Sequence, residues 1–414
     1  MLLSPKPLNL YLIIFVVTSL LSSCRSTASE NDQKEILQPI PEPLSKAEQA
    51  LATMSLEEKV GQLFFLSIPI DDKGRNILSL NDFVLNILTS MHPGGIILFN
   101  NNIDTPEQTW QLTQDLQKTS AYPLFIGIDE EGGKVSRLYH HPKLKVTIFP
   151  DMAKIGIKER PDLMYKVGSI QGSELHVLGI NLNMAPIADI NNYKGNPIGL
   201  RAFHWTAEKA APLVGAYVEG LQSQGVMAVL KHFPGHGATQ TDSHSTQAIS
   251  PVSYKTLKGR EWLPFKSGVE SGADWIMMGH LTNFHLDSRG LPGTLSRPMV
   301  DMIHHDLNFD GLIVSDALNM GAIVNNYNPE EVAYYAYLAG IDQFLMPSKP
   351  LESYLFLLKK FKDKLLSEDD LNKKVLKILR IKEKWKLFNT QSKPDFSILN
   401  SQDHQDFVTS LGIN

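Results

Sequence analysis

The sequence predicts an α/β fold, a (β/α)8 TIM-type barrel built as a single domain. Two observations carry that expectation. Eight short runs are apolar on both faces: residues 64–68, 95–99, 124–128, 180–184, 227–231, 275–279, 312–316 and 343–347. Strands of a parallel sheet covered by helices read this way, because neither face meets water. Between the runs lie segments of helical character, such as "TPEQTWQLTQDLQKTS" and "TAEKAAPLVGAYVEGLQSQG". Eight alternations over about 300 residues favour a closed barrel. An open doubly wound sheet is the alternative, since periodicity alone does not establish closure.

From the N-terminus, Lys6 precedes an apolar run from Leu8 to Leu21. The run falls short of the roughly 20 residues that span a bilayer and has the length of a secretory signal core. It ends in "LSSC", which resembles a lipobox. Residues 1–23 are therefore expected to be a lipoprotein signal peptide, and Cys24, the only cysteine, the site of lipidation. The competing reading is a buried first helix with an incidental cysteine. Several acyl chains on one cysteine anchor a protein stably where a single chain is marginal. The expected location is the cell envelope, lipid-anchored on a periplasmic or extracellular face. Arg25 is compatible with outer-membrane sorting. Residues 24–44 are polar and proline-bearing and read as a flexible tether.

The ordered domain is expected over 45–388. Ser55 and Glu58 have the spacing of a capping box. The last predicted helix is "SEDDLNKKVLKILRIKEKWKLF", capped by Ser367, with Leu371, Val375, Ile378 and Leu379 as its packing stripe. Residues 389–414 read as a loosely held C-terminal tail. The chain has 414 residues, 43% of them hydrophobic, and a net charge of −5. No basic excess points to nucleic acid, and no acidic run points to a solvating tail. Sugars or neutral small molecules fit that balance, and a monomer is expected.

Ionisable residues follow the apolar runs directly: Asp129, Lys231 with His232, His280 and Asp316. A charge straight after a buried strand costs free energy unless it is paired or used, and barrel chemistry sits where strands end. The densest stretch is "KHFPGHGATQTDSH", Lys231 to His244. A metal site on His232 and His236 would need a helix that Pro234 and Gly235 disfavour. No metal and no cofactor is expected, and His236 is assigned to loop structure.

"KHFPGHGATQTDSH", "GLIVSDALNM" and "IDEEGGKVSRL" together resemble glycoside hydrolase family 3, in its bacterial β-N-acetylhexosaminidase branch. The similarity covers about residues 45–388. It implies that Asp316 is the catalytic nucleophile, His244 the acid/base and Asp242 the carboxylate paired with it. It places Asp129, Arg137, Arg201, Lys231 and His232 at sugar-binding positions. Lys134 stands where arginine is common, and Glu130 where glutamine or threonine is common. The implied reaction removes a terminal non-reducing N-acetylglucosamine with retention, from peptidoglycan fragments or chitin-type oligosaccharides. Asp316 attacks the anomeric carbon while imidazolium His244 protonates the leaving oxygen. Neutral His244 then activates water. Pro234, Gly235 and Gly237 are expected to let the histidine loop move. Alternatives are a β-glucosidase or glycoside phosphorylase of the same family, a non-catalytic sugar-binding lipoprotein, and a metallohydrolase.

Overall fold

The computed structural model describes residues 44–413 apart from 140, 194 and 240–246. The signal segment and Cys24 lie outside the described residues. Eight parallel strands form the main sheet: β1 (Phe64–Ser67), β2 (Gly95–Leu98), β3 (Phe125–Ile128), β4 (Leu182–Asn183), β5 (Met227–Phe233), β6 (Trp275–Met278), β7 (Leu312–Ser315) and β8 (Phe344–Leu345). Each falls on one of the eight apolar runs. The order β8-β1-β2-β3-β4-β5-β6-β7 follows the chain with a single wrap.

Hydrogen bonds between β7 and the start of β8 bring the ring to closure. Val314 and Gln343 form a parallel bridge. Asp342 and Gln343 donate backbone N–H groups to the Ile313 carbonyl at 2.8 and 3.2 Å, and Ser315 donates to Gln343 at 3.0 Å. The open-sheet alternative leaves these edges unpaired, so the barrel is the architecture. Strand residues are buried almost without exception, which is why they read as apolar runs without alternation.

The barrel is packed rather than hollow. The Phe65 ring on β1 lies over Gly95 of β2 and Gly127 of β3, where a Cβ would stand 2.8 and 2.9 Å from it. Phe125 and Trp275 meet edge to face at 4.7 Å between ring centroids. Helices Pro106–Thr119 and Ala207–Gln222 occupy the two segments expected to be helical. The capping box at Ser55 and Glu58 opens helix Leu56–Gly61, and a second at Ser45 and Glu48 opens Lys46–Thr53.

Helix Glu368–Lys384 is capped by Ser367 and buries Leu371, Val375, Ile378 and Leu379 as expected. It also buries Lys382 beneath the N-terminal end of the barrel, where Nζ donates to Gln62 Oε1 at 2.6 Å.

The C-terminal residues differ from the expectation of a loose tail. They form a short 3-10 turn, Phe396–Ile398, and a helix, Gln402–Ser410. His404 and Leu411 are buried. The cause is a buried carboxylate on helix Pro161–Val177: Glu174 accepts from Asn400 N at 2.8 Å and His404 Nδ1 at 3.0 Å. Leu411 joins the core, with Phe407 and Val408 packed against it, a stripe too short to stand out in the sequence.

Candidate active site

Three elements supply the polar floor of a cleft at the C-terminal ends of the strands. β3 runs into Asp129, Glu130 and Glu131. Extended chain sends alternate side chains to opposite sides, so 129 and 131 share a face and 130 takes the other. β5 ends in Lys231 and His232. β7 ends at Asp316. Asp129, Glu131, Arg137, Arg201, Lys231, His232 and Asp316 line one cleft of about 320 Å³. That is the small end of the range for ligand pockets, ~300–1,000 Å³.

The charges form a continuous network. Lys231 Nζ lies 2.9 Å from Asp129 Oδ1 and 2.7 Å from Glu131 Oε1. Arg201 clamps Glu131 with two parallel hydrogen bonds of 2.8 Å. Arg137 reaches Asp129 Oδ2 at 3.3 Å and lies over the Phe99 ring at 5.3 Å. Burial alone would lower the Lys231 ammonium, but Asp129 and Glu131 hold it above the ordinary lysine value. Burial likewise opposes ionisation of Glu131, yet Lys231 and Arg201 hold its carboxyl far below the usual range. Three acidic groups, counting Asp316, face three cations, so the lining is formally neutral.

Asp316 is buried, with 8% of its surface exposed. Its N–H donates to Met278 O at 2.8 Å, which ties β7 to β6. Its Oδ1 accepts from Ala317 N at 2.8 Å. The Ala317 carbonyl is in turn held by His280 Nε2 at 2.9 Å. His280 is fully buried and its Nδ1 contacts Thr294 Oγ1 at 2.8 Å. It stands behind the carboxylate and shapes its backbone.

His232 is held by Asp189, whose Oδ2 lies 2.8 Å from Nδ1 and accepts the His232 N–H at 3.0 Å. The same carboxylate accepts His236 N at 2.6 Å through Oδ1. Burial opposes charge on Asp189, but His232 and His236 hold its pKa below the ordinary value. With Nδ1 committed to Asp189, His232 turns Nε2 toward the cleft.

The glycines after Lys231 also answer local steric demands. Gly235 has φ of +118°, where a Cβ would stand 2.9 Å from Glu261 Cβ. A Cβ at Gly237 would lie 1.8 Å from the Ile190 carbonyl oxygen. Asn196 Nδ2 holds the carbonyls of His236 and Thr239 at 2.7 and 3.0 Å. Residues 234–239 are pinned by close approach and hydrogen bonds. His236, as expected, has a structural position, with Nδ1 2.6 Å from Thr239 Oγ1.

The structure thus gathers Asp129, Arg137, Arg201, Lys231, His232 and Asp316 as the sequence analysis grouped them. Asp242 and His244 lie outside the described residues. Sequence reasoning missed Glu131 and Asp189. Glu131 was signalled by its position two residues after Asp129 at a strand end. Asp189 sits 43 residues before His232 in a loop and carries no local signal.

Comparison with known proteins agrees with this geometry. The family described as "Glycosyl hydrolase family 3 N terminal domain" matches residues 55–381. A β-hexosaminidase of Nitrosomonas eutropha is 34% identical over 267 residues, covering 63% of this chain and 75% of the relative. β-Hexosaminidase A of Pseudoalteromonas piscicida is 32% identical over 338 residues, covering 74% of this chain and 55% of the relative. The solved family 3 β-N-acetylglucosaminidase of Paenibacillus sp. str. FPU-7 superposes with a TM-score of 0.80 at 34% identity. That superposition covers 86% of this chain and 68% of the other.

Proposed function

The chain belongs to glycoside hydrolase family 3, and we propose that it acts as a retaining exo-β-N-acetylglucosaminidase. The observation that carries the proposal is Asp316. Its buried carboxylate closes one side of a small, formally neutral cleft that sets charged hydrogen-bonding groups beside apolar ones such as Phe99, Met320 and Met346. A neutral sugar ring fits such a lining, and a cleft this small fits removal of one terminal residue. Asp129, Arg137, Arg201 and Lys231 offer donors and acceptors to the ring hydroxyls, made strong by their charge. His232, oriented by Asp189, adds one more.

In this mechanism Asp316 displaces the leaving group at the anomeric carbon and forms a glycosyl-enzyme. His244, paired with Asp242, protonates the departing oxygen. It then takes a proton from the water that releases the sugar. The motif "TDSH" supports that assignment, and the β-hexosaminidase relatives support the N-acetylglucosaminide as substrate. The lipobox-like "LSSC" supports lipid attachment at Cys24, which would bring the enzyme to peptidoglycan fragments or chitin-type oligosaccharides in the envelope.

The test is release of a chromogenic leaving group from a β-N-acetylglucosaminide and from a β-glucoside. Wild type is expected to cleave the first, and Asp316→Ala to lose at least ~10⁴-fold in kcat. His244→Ala should fall less with an activated leaving group, which needs little protonation. Cleavage of neither substrate by folded wild type would overturn the proposal. Cys24→Ser should move the protein from the membrane fraction to the soluble one.

A further inference from the structure

We propose that the C-terminal segment positions the sugar-binding loop after β3, with Glu174 and His404 as positioning residues that act through Thr147. The inference rests on reading that loop, which carries Asp129, Glu131 and Arg137, as substrate-binding. Residues 390–413 lie beyond the 55–381 span that matches the family.

The path is a chain of short polar contacts. His404 Nδ1 lies 3.0 Å from Glu174 Oε1, and Asn400 N donates to the same oxygen at 2.8 Å. Thr147 completes the site: its hydroxyl donates to Glu174 Oε1 at 2.6 Å and its N–H to Oε2 at 2.9 Å. Glu174 is 3% exposed and Thr147 8%, so water does not replace these partners. Two residues on, the Phe149 carbonyl accepts Gly133 N at 3.1 Å. Gly133 belongs to the turn in which Glu131 and Gly132 both donate to the Val135 carbonyl, at 2.9 and 3.1 Å. That turn delivers Glu131 to Lys231 and Arg201, and leads into Arg137. Thr147 and Phe149 also line one small cavity with Glu130, Gly132 and Gly133.

A carboxylate that took donors only from its own helix and the tail would be local packing. Glu174 differs because half of its hydrogen bonds go to the substrate loop. Removing a donor on the tail side leaves the buried charge short of a partner. The loop side must then adjust, and a shift of a fraction of an ångström in a binding loop is felt in affinity.

The experiment uses the full chain with His404→Leu, His404→Asn, Glu174→Gln and, as an exposed control on the same helix, Asp403→Asn. Two quantities are read: KM and kcat on a β-N-acetylglucosaminide, and amide hydrogen exchange across 130–150. His404→Leu and Glu174→Gln should raise KM about three- to tenfold, with kcat within about twofold. Exchange should quicken in 130–150 and in the C-terminal helix while the remaining strands are unchanged. His404→Asn, whose Nδ2 can stand where Nδ1 stood, should restore both readouts, and Asp403→Asn should match wild type. Unchanged exchange in 130–150, or a rise shared by the whole barrel, would overturn the proposal, as would an unaltered KM. Exchange is read without turnover, so an inactive wild type would sink the glycosidase reading while the loop measurement still decides the clamp.

Discussion

The two ends of this barrel each bury a lysine, and they treat it in opposite ways. Lys231, at the C-terminal mouth, is 3% exposed and lies within 3 Å of two carboxylates, Asp129 and Glu131. Lys382, at the N-terminal floor, is fully buried with one neutral acceptor, Gln62 Oε1, and the face of Phe125 at 5.0 Å. Burial lowers the pKa of both. At the mouth, the carboxylates reverse it and the ammonium is held above its ordinary value. At the floor nothing reverses it, and Lys382 falls to about 7. Depth in the protein therefore does not decide whether a charge persists; the partners do. The mouth keeps fixed charges, which the proposed sugar-binding role uses. The floor needs only a long apolar stem with a polar tip to reach one amide.

The largest way to break this contrast is Lys231→Met. It leaves the buried Glu131 and the partly buried Asp129 with only the arginines, so a stability loss of ~3–5 kcal/mol is expected. Activity should fall at least ~10²-fold in kcat/KM if the network binds the sugar as proposed, because its cleft-facing ends lose their alignment. Chemical denaturation and steady-state kinetics read the two effects. A variant as stable as wild type would mean that the mouth charges are not coupled as their distances imply.

Lys382→Met probes the other end with a smaller effect of opposite sense. The folded state holds Lys382 near pH 7 and the unfolded chain near 10.4, so between those values the unfolded state binds more protons. Wild type should gain ~4 kcal/mol on going from pH 7 to 10.4, as deprotonation relieves the burial cost. The variant should lack that rise. At pH 7 and below it should be at least as stable as wild type, against which the stranded Gln62 oxygen counts ~1 kcal/mol. Parallel pH slopes for the two proteins would show that Lys382 stays charged.

The same contrast explains what was readable in the sequence. The eight strands were legible because both their faces are buried, so each appears as an unbroken apolar run. Asp129, Lys231, His232 and Asp316 were legible because each breaks such a run at its C-terminal end. Arg137 and Arg201 came only through resemblance of motifs. Glu131 was hidden inside an acidic triplet whose alternation had to be applied to tell 129 and 131 from 130. Asp189 was hidden because its partners, His232 and His236, come from another strand end. Lys382 looked like one more polar residue of an amphipathic helix, since nothing local marks the floor of a barrel. The C-terminal helix escaped because its apolar stripe is short, Phe407, Val408 and Leu411, and the rest of its anchoring is a buried carboxylate on another element.

Glu130 sharpens the comparison with the smallest effect, because it lies between the two extremes. Like Lys382 it lacks a close opposite charge: Arg137 contributes only the last of the influences on it. Like Lys231 it is well supplied with hydrogen bonds, accepting Arg137 N at 2.8 Å and Leu138 N at 3.2 Å. Burial wins, and the carboxyl is pushed up to about 7 despite the Ser136 hydroxyl and the backbone donors. The folded state therefore binds more protons than the unfolded chain between about pH 4.3 and 7. Stability from this group is full below that window and is lost as pH rises through it, by ~3 kcal/mol. Glu130→Gln keeps an acceptor for the two N–H groups and cannot ionise. Its denaturation midpoint should stay flat from pH 4.5 to 8 relative to wild type, and exceed it most at pH 8. If the two midpoints instead run parallel, Glu130 stays ionised across the range. Hydrogen bonds alone would then offset burial at the mouth, and Lys382 would owe its low pKa to having only one.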